Sequence, residues 1–306
     1  MTLREACERG MHILLEAGVL DAGLDAWLLL EHVSQVSRAM YYALPDKAMT
    51  AREEEIYFDY IEKRAQHIPL QHLTGVQEFM GLEFQVNEHV LIPRQDTEIL
   101  VESALKVIET KEKTAVASKQ GEGTYRLLDM CTGSGCILLS ILHYAGKYPG
   151  INLKGTGADT SGKALEVAKR NAQCLHIQAG FLCSDLFEQI TGRYEMIVSN
   201  PPYIRTDVID TLQEEVKNHD PMLALDGKED GLYFYRKIID EAGRYLTEDG
   251  YLIFEIGADQ GEAVRSMMCQ AGYRDVIVKK DLAGLDRVVI GVYDIFTKTE
   301  LPCEKG

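Results

Sequence analysis

The sequence predicts an α/β protein: a mostly parallel open sheet with helices on both faces, an antiparallel strand pair at its C-terminal end, and a small helical domain in front. Three observations carry this. Short apolar strands alternate with amphipathic helices from Arg126 onward. The last two strands follow one another with no helix between them. The first 75 residues repeat apolar positions at helical spacing and hold few glycines or β-branched runs.

The helical segments are Leu3–Leu20, Asp21–Val36 and Glu53–Ile68, with Asp46 and Thr50 as expected caps. Residues 1–75 are therefore expected to form a helical domain. Val76–Val86 reads as two short strands turning near Gly81, so residues 76–95 are expected to be a β-hairpin linker. A helix is expected from about Asp96, and the Lys/Glu-rich Glu109–Tyr125 reads as an exposed loop. Residues 96–306 would then form the main domain. Its expected strands are Arg126–Met130, Leu153–Ala158, Gly180–Cys183, Glu195–Ser199, Tyr251–Ile256, Asp275–Val278 and Arg287–Tyr293. Its expected helices are Cys136–Ala145, Gly162–Cys174, Gly231–Leu246 and Gln260–Ala271.

The 306 residues carry 32 Lys+Arg against 48 Asp+Glu, a net charge of −16. This argues against binding nucleic acid through a generally basic surface. Seven scattered cysteines without a C-x-x-C predict reduced thiols and no zinc site, and no H-x-x-x-H pair occurs, so no metal is expected. The start lacks a signal-peptide apolar region, and no apolar run is long enough to span a bilayer. A cytoplasmic monomer without membrane contact is the expectation.

Chemistry concentrates at strand ends. Asp129-Met-Cys131-Thr132-Gly133-Ser134-Gly135 ends one strand and opens a helix. Its glycines let a backbone approach a ligand closely, beside free helix-start N–H groups. A dinucleotide loop would want a third glycine at 138, where Leu138 stands. A plain strand–helix turn and a nucleoside pocket of the S-adenosylmethionine (AdoMet) type remain. Asp159 follows the second strand, suited to ribose hydroxyls, and Asp185 follows the third, suited to an adenine amino group with Leu186 on the ring. One surface Asp is ordinarily just solvated; three at successive strand ends lie where open sheets bind ligands. Gly157–Ala164 nearly spells a phosphate loop, but Ala164 replaces the Ser/Thr that would hold magnesium.

Asn200-Pro201-Pro202-Tyr203 is the most specific feature. Its prolines fix φ and restrict their predecessors. The Asn200 side chain and the Pro201 carbonyl become fixed acceptors for the two hydrogens of a planar –NH₂ group, with Tyr203 as a stacking face. The plain alternative is a rigid Pro-Pro turn.

Asn-Pro-Pro-Tyr with the Asp129–Gly135 loop resembles AdoMet-dependent methyltransferases of planar amino groups. Ile68–Gly75, Glu78–Leu82, Leu91–Glu98, Pro221–Gly231, Phe254–Gly257 and Lys280–Arg287 extend the resemblance to the HemK/PrmC family over nearly the whole chain. It departs in having Gln95 where that family usually has proline, in a long 109–125 segment, and in a tail, 297–306, without counterpart. The resemblance implies a Rossmann-like class I AdoMet-dependent methyltransferase fold. It implies methyl transfer from S-adenosyl-L-methionine to the N5 of the glutamine in the Gly-Gly-Gln motif of peptide chain release factors, yielding S-adenosyl-L-homocysteine. Asn200, Pro201 and Tyr203 would carry catalysis. Asp129, Cys131, Thr132, Gly133, Ser134, Gly135, Asp159, Asp185, Leu186 and Asn200 would bind cofactor, and Asn200–Tyr203, Pro202 included, would bind substrate. The helical domain would dock the release factor. Alternatives are a ribosomal-protein glutamine, a nucleic-acid base, or AdoMet binding without turnover.

Overall fold

The computed structural model describes residues 1–118, 124–148 and 150–294. The tail from 297 and residues 119–123 of the expected 109–125 loop lie outside them. Two compact units form. One contains Met1–Val76 together with Leu212–His219; the other contains the described residues of Gln77–Thr211 and those from Asp220 onward.

The first unit holds α1 (Leu3–Glu16), α2 (Ala22–Ser34), α3 (Arg38–Ala43), α4 (Ala51–Ala65) and α5 (Leu70–Thr74). Leu14, Leu29, Leu30, Tyr57 and Ile61 are fully buried between them. Gly10 sits where α1 crosses α4: a Cβ there would meet Tyr57 Oη at 2.2 Å, so only hydrogen lets these helices approach. Thr50 caps α4 in a reciprocal capping box with Glu53. Thr50→Ala is expected to lower the stability of this unit by about 1 kcal/mol, read as a lower urea midpoint with an unchanged slope. Asp46 caps no helix. It pairs with Arg4 at 3.8 Å instead, and the cap of the preceding short helix is Ser37. The buried Arg64 gathers Asp25 (Nε–Oδ2 2.7 Å), Glu215 and the Ile68 carbonyl (3.3 Å).

The second unit begins with the hairpin β1 (Val76–Phe79) and β2 (Leu82–Gln85). Phe79 and Phe84 lie in the same core as Leu100, Leu127 and Leu138, so the hairpin packs as part of this unit's core. After a 3₁₀ turn at Gln95–Thr97 comes α6 (Glu98–Ser118). The expected exposed loop is thus helical as far as Ser118. The apolar stripe ends at the buried Ile108, which is why periodicity stops, but Glu98–Ser118 contains neither Gly nor Pro. Glu109 and Lys113 pair at i,i+4 with 2.6 Å between them.

Then come β3 (Thr124–Met130), α7 (Cys136–Ala145), β4 (Asn152–Asp159), α8 (Gly162–Cys174), β5 (Gly180–Cys183) and β6 (Tyr194–Ser199). Three short helices follow: α9 (Thr206–Ile209), α10 (Glu214–His219, in the first unit) and α11 (Met222–Leu225). The chain ends its described course with α12 (Tyr233–Ala242), β7 (Leu246–Glu255), α13 (Gly261–Gln270), β8 (Tyr273–Lys280) and β9 (Asp286–Tyr293). Sheet order is β5-β4-β3-β6-β7-β9-β8. The first five strands run parallel; β9 is antiparallel to both neighbours, the C-terminal arrangement the sequence predicts. One boundary differs. The residues expected to end a helix at Leu246 instead open β7, because a bulge with Asp249 in the left-handed region (φ 57°) lets the strand start early.

Candidate active site

Strand order reverses between β3 and its neighbours β4 and β6, the place where open α/β sheets bind ligands. A cavity of about 590 Å³ opens there, over the C-terminal ends of the strands. Cys131, Thr132, Gly133, Ser134, Asp159, Asp185, Leu186, Asn200 and Pro202 all line it. Residues far apart in sequence and singled out from it alone therefore meet at one site.

The floor is the β3–α7 turn. Cys131 (φ 61°), Gly133 (φ 53°) and Gly135 (φ 79°) lie in the left-handed region. A Cβ on Gly133 would meet nothing within 4 Å, so this glycine serves its backbone conformation, and its N–H is held by a carboxylate. That N–H donates to Asp159 Oδ2 at 2.9 Å, and the Ser161 N–H donates to Oδ1 at 2.9 Å. Each carboxylate oxygen keeps further acceptor capacity for a ribose diol. Asn171 fixes the turn from outside: its Nδ2 donates to the Ser134 carbonyl (2.9 Å) and to the Gln85 carbonyl (3.0 Å), tying the turn to the hairpin.

Asp129 and Gly135 shape the turn without lining the cavity. Asp129 is fully buried and accepts from Thr132 Oγ1 at 2.5 Å. Burial pushes its carboxyl up to about 7, against the opposing pull of the Thr132 hydroxyl and the Leu138 amide. Its folded value therefore lies above its unfolded one. The stability it contributes is complete in acid and is lost as pH rises through 7. Asp129→Asn should flatten the decline of melting temperature from pH 5 to pH 8 relative to the parent chain, which thermal unfolding across that range will measure. Asp159 is likewise raised by burial, and the Cys131 thiol is pushed up by burial and by the nearby carboxylates.

Asn200 stands at the end of β6. Ser199 Oγ, one residue earlier, donates to the Met130 carbonyl at 2.7 Å and holds the strand end to the glycine turn. Pro201 is buried, and Tyr203 packs against the core beneath; neither side chain lines the cavity. The Tyr203 backbone is clamped. Its carbonyl accepts from Gln260 Nε2 at 3.0 Å, and a Cβ on Gly227 or Gly231 would come within 2.7 Å or 2.5 Å of it. The Pro221–Gly231 segment is therefore a backing plate for Asn-Pro-Pro-Tyr.

Sequence reasoning assigned no site role to Arg94, Thr97 or Glu255. Arg94 and Thr97 line the cavity, and Arg94 pairs with the buried Asp220 at 2.8 Å. Glu255 lies just behind, 2% exposed, with its carboxyl raised by burial to about 7. A charged residue closing the apolar run Tyr251-Leu-Ile-Phe-Glu255 at the ligand end of a strand was the available signal.

Sheet order and site together define the class, a class I methyltransferase fold. The catalytic domain of hMettl16, solved with the MAT2A 3'UTR hairpin 6, shares this fold with a TM-score of 0.51 at 16% identity, covering 78% of this chain and 83% of that one. The methyltransferase small domain family matches residues 114–228, and the PrmC N-terminal domain family matches residues 5–75. A release factor glutamine methyltransferase of Agrobacterium fabrum is 41% identical over 278 residues, covering 90% of this chain and 92% of that protein. One of Caulobacter vibrioides is 38% identical over 295 residues, covering 95% and 96%. The chain belongs to the release factor glutamine methyltransferase family.

Proposed function

We propose that the protein methylates the side-chain amide nitrogen (N5) of the glutamine in the Gly-Gly-Gln motif of peptide chain release factors, with S-adenosyl-L-methionine as donor. The observation that carries this is the placement of Asn200 and Pro202 on the same cavity as the Gly133 turn and Asp159. The cavity size suits a nucleoside joined to an amino acid. The bare Gly133 position and the free acceptor capacity of Asp159 suit its backbone and ribose. Asp159 binds the ribose hydroxyls; Asp185 and Leu186 hold the adenine edge and face.

The bound donor supplies an electrophilic methyl on a sulfonium. The chain's task is to make a poor nucleophile reach it, because an amide lone pair is delocalised into its carbonyl. Asn200 Oδ1 and the Pro201 carbonyl accept the two N–H bonds and aim the nitrogen. Both oxygens also stabilise positive charge growing on nitrogen as the N–CH₃ bond forms and the S–CH₃ bond breaks. The proton leaves to solvent afterwards. Tyr203, with its backbone clamped, keeps the loop rigid. The helical unit docks the release factor, and the enzyme works in the cytoplasm as a monomer, without membrane or nucleic acid.

The test is incubation with methyl-labelled AdoMet and a purified release factor, beside its Gly-Gly-Gln Gln→Ala variant and a DNA control. Label is expected on the intact factor alone. Label on DNA or on the variant factor overturns the proposal.

A further inference from the structure

Parallel pairing sets Ser199 of β6 beside Phe254 of β7. One residue further along, Asn200 leaves β6 and Glu255 ends β7, and the Asn200 amide interacts with the Glu255 carboxylate. Asn200 and Thr97 line the cavity; Glu255 lies behind them, 2% exposed. Its Oε2 has no hydrogen-bond partner among the described residues. The Asn200 amide and the Thr97 hydroxyl both stabilise its ionised form. A buried, incompletely paired carboxylate is costly.

The chemistry of Asn200 supplies a reason to keep the charge. A side-chain amide has a donor half and an acceptor half, and rotation by half a turn exchanges them. Gripping an –NH₂ group requires the acceptor half to face the substrate. An ionised carboxylate only accepts, so it captures the donor half. We infer that Glu255 is a positioning residue: its carboxylate takes a side-chain N–H of Asn200 and holds Oδ1 toward the nitrogen to be methylated. This rests on Asn200 being the substrate's acceptor.

The groups facing Glu255 are Asp96 and Thr97 from the turn before α6, Arg287 from β9, Tyr203 after β6, Tyr235 from α12 and Cys136 from α7. Arg287 favours the ionised form and Asp96 opposes it, while burial leaves the carboxyl at about 7. Once protonated, Glu255 offers an O–H of its own and draws Oδ1 away from the substrate. Turnover should therefore fall as pH drops below about 7.

The experiment compares the full-length parent, Glu255→Leu, Glu255→Gln and Asn200→Ala, measuring kcat, KM for release factor and AdoMet affinity on both sides of pH 7. Glu255→Leu is expected to lose roughly 10- to 100-fold in kcat, the usual cost of removing a partner that orients a reacting group, with AdoMet affinity held. Glu255→Gln, like the protonated acid, carries a donor as well as an acceptor, so it should turn over at about the low rate the parent shows in acid and lack the acid limb of the pH profile. The inference is overturned if Glu255→Leu turns over like the parent, if its AdoMet affinity falls in step with kcat, or if Glu255→Gln keeps the acid limb. Should the Leu variant not fold, the Gln profile decides alone. An Asn200→Ala variant as fast as the parent would overturn the acceptor reading itself. A slow Asn200→Ala beside a fast Glu255→Leu would overturn only the role of Glu255.

Discussion

Asn200→Ala is expected to lower kcat by roughly 100- to 1,000-fold while AdoMet affinity stays within about threefold, because the lost acceptor acts on charge that exists only in the transition state. The Asn200 side chain is only half-buried, so its removal leaves no large cavity. The strand end remains fixed by Ser199 Oγ on the Met130 carbonyl, and the following turn by Gln260 on the Tyr203 carbonyl. The AdoMet contacts proposed for Asp159, Asp185 and the Gly133 turn come from other strands and are untouched. Steady-state kinetics beside AdoMet titration checks this; equal losses in turnover and AdoMet binding would make Asn200 a cofactor ligand instead.

Arg64→Met should destabilise the helical unit by about 3–5 kcal/mol, the cost of stranding a buried charge. Arg64 and Asp25 are 4% and 6% exposed, and Arg64 also holds Glu215 and the Ile68 carbonyl. Glu215 belongs to Leu212–His219, the part of this unit that follows Asn-Pro-Pro-Tyr in the chain. The substitution therefore frees a segment as well as stranding a carboxylate. Urea unfolding checks the magnitude. Arg64→Met combined with Asp25→Leu should recover part of the loss, because no buried charge is then left alone. A single-variant loss within about 1 kcal/mol would mean that Asp25 is neutralised without cost.

Much of the sheet unit was legible because its signals are local. Cys136–Ala145, Gly162–Cys174 and Gly180–Cys183 form at the expected residues, each bounded by glycine, a capping serine or a turn. The continuation of α6 past Ile108 was not, since the Lys/Glu-rich residues 109–113 have no apolar period to read. Nor was the pairing of Leu212–His219 with the helical unit, which depends on a contact between Arg64 and Glu215 across 151 residues. At the site, glycines, prolines and strand-end carboxylates announce themselves by type and place. Glu255 carries the same strand-end signal, but the group it faces is known only once β6 and β7 are paired. Tyr203, proposed as a stacking face, does not line the cavity and packs against the core instead, a long-range contact that the local motif does not reveal.

The most direct test of the account is mass spectrometry of a release factor digested after reaction with AdoMet and this enzyme. A single added methyl is expected on the glutamine side chain of the Gly-Gly-Gln peptide, absent when Asn200→Ala replaces the parent. A methyl on any other residue, or an unmodified Gly-Gly-Gln peptide beside a fully active parent enzyme, would contradict it.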